Sequence, residues 1–252
     1  MERKTALVVG IRDEQSVCTA IAAELKSAGY DIVATYQDET TYAGVKRVAD
    51  AIGFRSMFAY DARQDEDLDA FVSAVKDQNL QLDALVHGIS YSTAHGAKLG
   101  MNLADISWEE FTDAIRVGAF SLVELSGGLL EVLKEDASIL ALTLRWSRFA
   151  VPGLNMVGAA KAGLESIVRG LAESLGNAKR IRVNAISPGF VPTYSISKVG
   201  NSLEILEREK LRSPLKTNVR NEDIADLAVS VLENRSITAM IYPIDTGVEI
   251  MG

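Results

Sequence analysis

Seven short runs rich in β-branched residues and leucine recur along the 252-residue chain: TALVVG (5–10), DIVATY (31–36), SMFAY (56–60), LDALVH (82–87), SILALTL (138–144), IRVNAIS (181–187) and AMIYPID (239–245). Each except the last is followed by a segment long enough for a helix. The runs are continuously apolar instead of alternating with polar residues. That pattern suits strands covered on both faces, as in a parallel sheet between two helical layers.

Strands alternating with helices predict an α/β fold with a doubly wound, mainly parallel seven-stranded sheet of the Rossmann type. The helix signals agree. In SVCTAIAAELKSAG, Val17, Ile21 and Leu25 fall on one stripe that ends at Gly29, and NEDIADLAVSVLEN starts from Asn221 as a candidate N-cap. No internal repeat, low-complexity tract or Pro/Ser-rich linker interrupts the pattern, so residues 1–252 are expected to form a single domain. The stretch from Phe190 to Leu215 lies between the sixth strand and the last helix. Its polar entry and amphipathic middle predict a substrate flap or short helical lid, with a plain surface helix as the alternative.

Composition narrows the partners. With 48% hydrophobic residues, a chain of this length can build one large core. The balance of 26 basic and 34 acidic residues gives a net charge of −8 without a long basic run, which argues against nucleic acid and anionic membrane surfaces. No apolar stretch reaches the ~20 uninterrupted residues needed to span a bilayer. One cysteine, Cys18, cannot form an internal disulfide, and MERKTALVVG enters a strand at once without a signal-peptide layout, so a cytoplasmic location is expected. His87 and His95 do not stand in a metal-ligand spacing with Cys18, so no metal site is expected; no G-x-S-x-G elbow or phosphate-binding P-loop motif is present.

The first strand is followed by GIRDEQSVCTAIA, in which only Gly10 fits a three-glycine dinucleotide fingerprint. A tight turn at Gly10, a longer loop and a helix whose N–H groups near Ser16 and Val17 are free could still meet a pyrophosphate. Ser16 acting only as an N-cap is the simpler alternative.

These residues resemble the bacterial enoyl-acyl-carrier-protein reductases, a branch of the short-chain dehydrogenase/reductase family, across essentially the whole chain. GIRDEQSV follows that branch's G-x-x-x-x-x-S-[IV] loop. TYQ (35–37), Asp61, VHGIS (86–90), NMVGAAKAGLES (155–166) and RVNAISPG (182–189) follow in the family's order and spacing. The resemblance implies that Gly10, Ser16 and Val17 line a pyrophosphate, Gln37 lies near the adenosine ribose, Asp61 and Ala62 border the adenine, and Gly88 and Ile89 border the cofactor's ribose side. It places Lys161 on the nicotinamide ribose hydroxyls and Val191 and Thr193 beside the carboxamide and phosphates. Asp38 and Glu39 would repel a ribose 2′-phosphate, which favours NADH over NADPH as the cofactor, with NADPH kept open. Ala20 stands where the family has a glycine, and Ser90 brings a hydroxyl where the family leaves the backbone open.

The departure that matters for chemistry lies at the end of RWSRFAVPGLNMVGAAKAG. The resembled enzymes carry a tyrosine seven residues before the lysine, and this chain has Leu154 there. Such a phenol stabilises the enolate formed when hydride reaches the β-carbon of an unsaturated thioester. One such donor is worth roughly 3 to 4 kcal/mol, or about two to three orders of magnitude in rate. The candidate replacements are Arg145 and Arg148, whose guanidinium forks suit an anionic group or enolate, with Ser147 as a lesser donor. Trp146 falls where the family has a second aromatic, and Tyr91 and Tyr194 are loop phenols beyond the fourth and sixth strands. Both arginines reaching solvent or pairing with acidic neighbours is the alternative of equal weight.

Three readings follow. The first is an NAD(P)H-dependent reductase of an α,β-unsaturated thioester or related carbonyl, its substrate carried on an acyl carrier protein or coenzyme A. The second is a non-redox enzyme, such as a cyclase, lyase, dehydratase or isomerase, acting on a small anionic substrate. The third is a non-catalytic relative that binds a nucleotide or a partner. The segments Ser107–Lys134 and Leu154–Leu175, rich in small residues and leucine, read as helices that meet their copies in the resembled family, which implies a homotetramer or homodimer.

Overall fold

A computed structural model describes residues 3–90, 103–150, 155–193 and 202–251, apart from the side chains of Asp65, Asn155 and Ser202. Seven strands form one sheet: β1 (Thr5–Val9), β2 (Asp31–Tyr36), β3 (Ser56–Ala59), β4 (Leu82–His87), β5 (Leu133–Leu142), β6 (Arg182–Pro188) and β7 (Ile241–Ile244). Their order is β3-β2-β1-β4-β5-β6-β7, and every neighbouring pair is parallel. The fold class expected from the sequence is thus the one observed.

The continuous apolar runs are explained by the two layers of helices. Successive residues of a strand point to opposite faces. Leu7 and Val9 join Leu85, Ile139 and Val183 on one face, packed by α3 (Asp65–Asp77), α5 (Ser121–Gly128) and α6 (Asn155–Lys179). Ala6 and Val8 join Val86, Leu140 and Ile186 on the other, packed by α1 (Val17–Ser27), α2 (Glu39–Ile52) and α8 (Asn221–Glu233). The remaining described helices are α4 (Trp108–Ile115) and α7 (Ser202–Arg212). Each fully buried Leu, Ile or Val contributes about 1.5 to 3 kcal/mol of transfer free energy, so both faces are essential to the fold.

Several boundaries differ from the sequence expectation for identifiable reasons. β5 begins at Leu133 instead of Ser138, because Lys134, Glu135 and Asp136 extend the strand without apolar character; Lys134 instead pairs with Asp83 of β4 at 3.0 Å. Ser107–Lys134 is not one helix. It divides into α4, a π-helical turn at Arg116–Phe120 and α5, and its last residues already belong to β5. Asn221 is not the cap of α8 but its first residue. Arg220 takes the N-cap position, its N–H donating to the Asp223 carboxylate at 3.2 Å, while the Asn221 amide donates to the Gln15 carbonyl.

Candidate active site

The chain runs outward through β1, β2 and β3, then crosses back to β4 on the other side of β1. Ligand crevices of open α/β sheets lie at this reversal, beyond the C-terminal ends of the strands. Here the loops after β1 and β4 nearly touch: the Gly88 N–H donates to the Val9 carbonyl at 2.8 Å, and a Cβ on Gly10 would lie 2.6 Å from the Gly88 carbonyl atoms. Gly10 also has φ of +116°, open only to glycine without strain. A Cβ on Gly88 would in turn lie 2.1 Å from Cys18 Sγ on α1. The crevice floor is therefore backbone, as a ligand approaching that closely requires.

Ser16 stands at the N-cap position of α1, but its side chain does not cap the helix. Its Oγ accepts from the N–H groups of Arg12 and Asp13 at 3.1 and 3.2 Å, closing the Gly10–Ser16 loop on itself. In the first turn of α1 the Thr19 N–H donates to the Ser16 carbonyl at 2.9 Å, while Val17 and Cys18 line the crevice and receive no bond from the Ser16 side chain. Both ideas drawn from the sequence are modified by this: Ser16 shapes the loop, and the helix end remains open to an anion.

Two cavities of about 340 and 230 Å³ meet across Gly10, Arg12, Gly88 and Ser90. The larger contains Gln37, Asp61, Ala62 and Ile89 among its walls. Gln37 Nε2 donates to Asp61 at 3.2 Å, and Arg63 binds the same carboxylate through Nε at 3.1 Å and through Nη2. Burial opposes ionisation of Asp61, but the bonds from Arg63 and Gln37 more than offset it and hold the carboxyl below its ordinary value. Asp38 lines the same cavity and caps α2, accepting from Thr40 and Thr41; the Thr40 hydroxyl, followed by the two backbone N–H groups, keeps it ionised. This end therefore holds two ionised carboxylates, Asp61 paired with Arg63 and Asp38 capping α2.

The smaller cavity holds Ser16, Val17, Lys161, Val191 and Thr193. Lys161 lies on α6, is 3% exposed, and donates from Nζ to the carbonyls of Ile89 at 2.8 Å and Gly118 at 3.4 Å. Burial pulls its pKa down to about 8, with Cys18 acting slightly in the opposite direction. Of three ammonium donors, two have partners and one remains for the cavity. His87, at the end of β4, is fully buried, and burial followed by the Lys161 charge pushes it down to about 3, so it is neutral.

The segment after β5 separates the candidate donors. Arg145 lines the cavity and pairs with Glu209 of α7 at 2.9 Å, with side-chain exposures of 16% and 6%. Arg148 pairs with Glu249 through Nη2 at 2.8 Å, and the cavity wall does not include it. The Ser147 hydroxyl donates to Glu165 at 2.6 Å, onto the same Oε1 that accepts from Thr143 at 2.8 Å. Arg148 and Ser147 are thus each engaged by a carboxylate, and neither is in the cavity wall. Trp146 does reach it, its ring 5.8 Å from that of Phe190. Leu154, Tyr91, Tyr194 and His95 lie outside the described residues.

Several participants were missed from the sequence. Glu165 follows Lys161 by one helical turn, a spacing that could have flagged a buried acid on the same face. Gly158 is needed because a Cβ there would lie 2.4 Å from the Trp146 carbonyl. Arg63 and Glu209 carry no motif at all.

The ion pairs give a direct expectation. Removing one partner of a buried pair strands the other charge, at a cost of about 3 to 5 kcal/mol, whereas an exposed pair contributes roughly 1 kcal/mol or less. Arg145→Met should therefore lower the denaturation midpoint far more than Arg148→Met, and adding Glu209→Met should restore most of the loss. Equal, small effects in urea titrations would show that Arg145 and Glu209 are not coupled.

A twisted parallel sheet reversing at β1/β4, with a closed glycine turn, an open helix end and a buried lysine beyond it, defines a dinucleotide-binding α/β protein. A family profile described as "Enoyl-(Acyl carrier protein) reductase" matches residues 10–249. The enoyl-acyl-carrier-protein reductase (NADH) of Rickettsia felis is 32% identical over 254 residues, covering 100% of this chain and 96% of the relative. Among solved structures, the enoyl-acyl-carrier-protein reductase (NADH) of Aquifex aeolicus superposes with a TM-score of 0.92 at 30% identity, covering 99% of this chain and 97% of that one. The Anaplasma phagocytophilum enzyme in complex with NAD superposes with a TM-score of 0.90 at 27% identity, covering 100% and 94%. The chain belongs to the enoyl-acyl-carrier-protein reductase family.

Proposed function

We propose that this protein reduces the carbon–carbon double bond of an α,β-unsaturated acyl thioester with NADH, the substrate being carried on an acyl carrier protein or coenzyme A. The observation that carries this reading is Lys161: a buried ammonium fixed on two carbonyls in the wall of the smaller of two adjoining cavities, whose combined walls contain every cofactor contact expected from the sequence. When bound, the nicotinamide supplies a hydride to the β-carbon of the substrate.

The residues fit such a cofactor. Gly10 and Gly88 leave the floor bare where Cβ atoms would fill it, and the N-terminal end of α1 faces the junction where a pyrophosphate belongs. Asp61, with Gln37 and Arg63, offers a polar edge to an adenine. The ionised Asp38 disfavours a 2′-phosphate and thus NADPH. The spare N–H of Lys161 is free for ribose hydroxyls.

Among the described residues, Arg145 is the donor best placed to substitute for the missing phenol. It lines the cavity, and among the described residues one of its five N–H groups donates to Glu209. Its positive charge would stabilise the thioester oxygen as the substrate passes through an enolate, after which a proton is taken up at the α-carbon. Arg145→Met should then lower kcat by about two orders of magnitude while leaving NADH affinity unchanged.

The deciding experiment is NADH consumption with 2-enoyl thioesters of coenzyme A and of a carrier protein, with the saturated product identified by mass spectrometry. Stabilisation by NADH without turnover would favour the non-catalytic reading. Thioester conversion without NADH loss would favour the non-redox one. Lack of stabilisation by any nicotinamide nucleotide would remove the basis of the proposal, since a ligand at 100 times its dissociation constant adds about 2.7 kcal/mol.

Self-association is part of the same proposal. Trp108, stacked on Phe111, and Phe120 are exposed on α4 and the π-helical turn, with Trp108 at 78%. An apolar face of this kind supports a homodimer or homotetramer. Light scattering at micromolar concentration is expected to give a multiple of the 27.2 kDa chain mass; a monomer would contradict it.

A further inference from the structure

The two carbonyls that hold Lys161 come from unrelated elements: Ile89 follows β4, and Gly118 lies in the π-helical turn between α4 and α5. In a regular α-helix the Ser121 N–H would bond the Val117 carbonyl, four residues back. Here the Ser121 hydroxyl occupies that acceptor at 2.8 Å, and the Ser121 N–H reaches to Arg116, five residues back. In this widened turn the hydroxyl satisfies the carbonyl that the backbone N–H leaves. Single wide turns of this type inside helices often mark functional sites.

Ser121 is itself held from the sheet. Because its one proton goes to Val117, the contact with His87 at 2.8 Å must run from the ring Nε2–H to the Ser121 oxygen. The ring's Nδ1 is then a bare acceptor, and it has no partner among the described residues. His87 stands two residues before Ile89. One buried chain of hydrogen bonds, His87 to Ser121 to Val117, thus ties together the two elements whose carbonyls receive Lys161.

We propose that Ser121, braced by His87, is a positioning residue: it creates the π-helical turn and so presents the Gly118 carbonyl to Lys161. The consequence for cofactor binding rests on the function proposed above; the consequence for the lysine does not. Without the hydroxyl, the Ser121 N–H returns to Val117, the turn regularises, and Gly118 no longer faces the ammonium. Loss of an acceptor disfavours the charged lysine, so its pKa drops further below the ordinary value.

The titratable groups facing Lys161 are Cys18 from α1 and His87 from β4, with Glu165 one turn further along α6. Burial pushes the thiol up to about 12 and the imidazole down to about 3, so neither changes charge near the lysine's titration. Glu165 is engaged by Thr143 and Ser147.

The test is the titration of Lys161 in the ligand-free protein, followed through the ¹³C shift of its Cε in lysine-labelled samples and assigned with Lys161→Met. The wild type is expected to titrate near 8. Ser121→Ala should titrate about one pH unit lower, the value of one modest hydrogen bond to a charged group, with NADH affinity falling about tenfold. Ser121→Thr, which keeps the hydroxyl, should match the wild type in both. If Ser121→Ala does not fold, Ser121→Cys, with a much weaker donor of similar shape, is read in its place. An unchanged lysine titration in Ser121→Ala or its substitute overturns the proposal, as does a drop that Ser121→Thr shares. Failure of the wild type to bind NADH would sink the proposed function alone, because the lysine titration needs no ligand.

Discussion

Lys161→Met is expected to abolish stabilisation by NADH and, at the same time, to make the ligand-free protein more stable. Both effects have one cause. The ammonium is buried, and the fold pays for that burial: the lysine's pKa falls from 10.5 to about 8. Each unit corresponds to 1.36 kcal/mol, so the difference of 2.5 units represents a penalty of about 3 kcal/mol. Methionine fills a similar volume without the charge. The sign with pH follows directly. Below 8 the lysine is protonated both folded and unfolded, and the whole penalty applies. Between 8 and 10.5 the unfolded chain holds more protons than the native one, so the wild type gains stability as pH rises. The Lys161→Met protein lacks this gain, and the two stability curves should converge toward alkaline pH. If the ammonium is what binds the cofactor, wild-type NADH affinity should decline over the same interval. Paired urea titrations at neutral and alkaline pH, with and without NADH, measure all four quantities. Equal ligand-free stability of wild type and variant at neutral pH would show that the lysine is better solvated than its 3% exposure implies.

Gly88→Ala is expected to be among the most damaging single-methyl changes in the chain. The added Cβ would lie 2.1 Å from Cys18 Sγ and 3.3 Å from Leu142 Cδ1. Cys18 is itself 1% exposed and has little room to move. Overpacking of this kind costs about 1 to 3 kcal/mol, and any relief by shifting β4 would also displace Ile89, which holds Lys161. Loss of NADH binding should therefore accompany the loss of stability. The cause can be isolated. Cys18→Ala removes the sulfur, so in the double variant the new methyl enters the space it leaves, and most of the stability should return. A double-mutant cycle measures this as a favourable coupling of contacting sites, on the order of 1 kcal/mol or more. Additive losses would mean that the clash lies elsewhere, and Leu142 would be the next partner to replace.

Much of this site was legible before the fold was. Gly10, Gln37, Asp61, Gly88, Lys161, Val191 and Thr193 were each expected at the cofactor from their place in the sequence, and all line the two cavities. Those positions are legible because a parallel strand ending in a turn delivers its next few residues to one known edge of the sheet. The roles after β5 were not. Arg145, Arg148 and Ser147 share one short stretch and read as equivalent donors. Each found a different carboxylate, 64, 101 and 18 residues away respectively.

The amino-acid sequence by itself determined the seven strands, the two buried faces of the sheet, the crevice at its reversal and the presence of one lysine there. These follow from apolar periodicity and local turn chemistry, which act over a few residues. Only the tertiary structure decided which donors remain available in that crevice and how the lysine is held. A charged or hydroxyl side chain takes whichever partner the packed elements bring within about 3 Å, and that choice is made between residues whose separation along the chain carries no signal. Ser121 shows the boundary most clearly: a helical serine can bond the carbonyl four residues back wherever it sits, as Ser27, Ser174 and Ser230 do, but only packing brings His87 from the sheet and Lys161 from α6 to the widened turn.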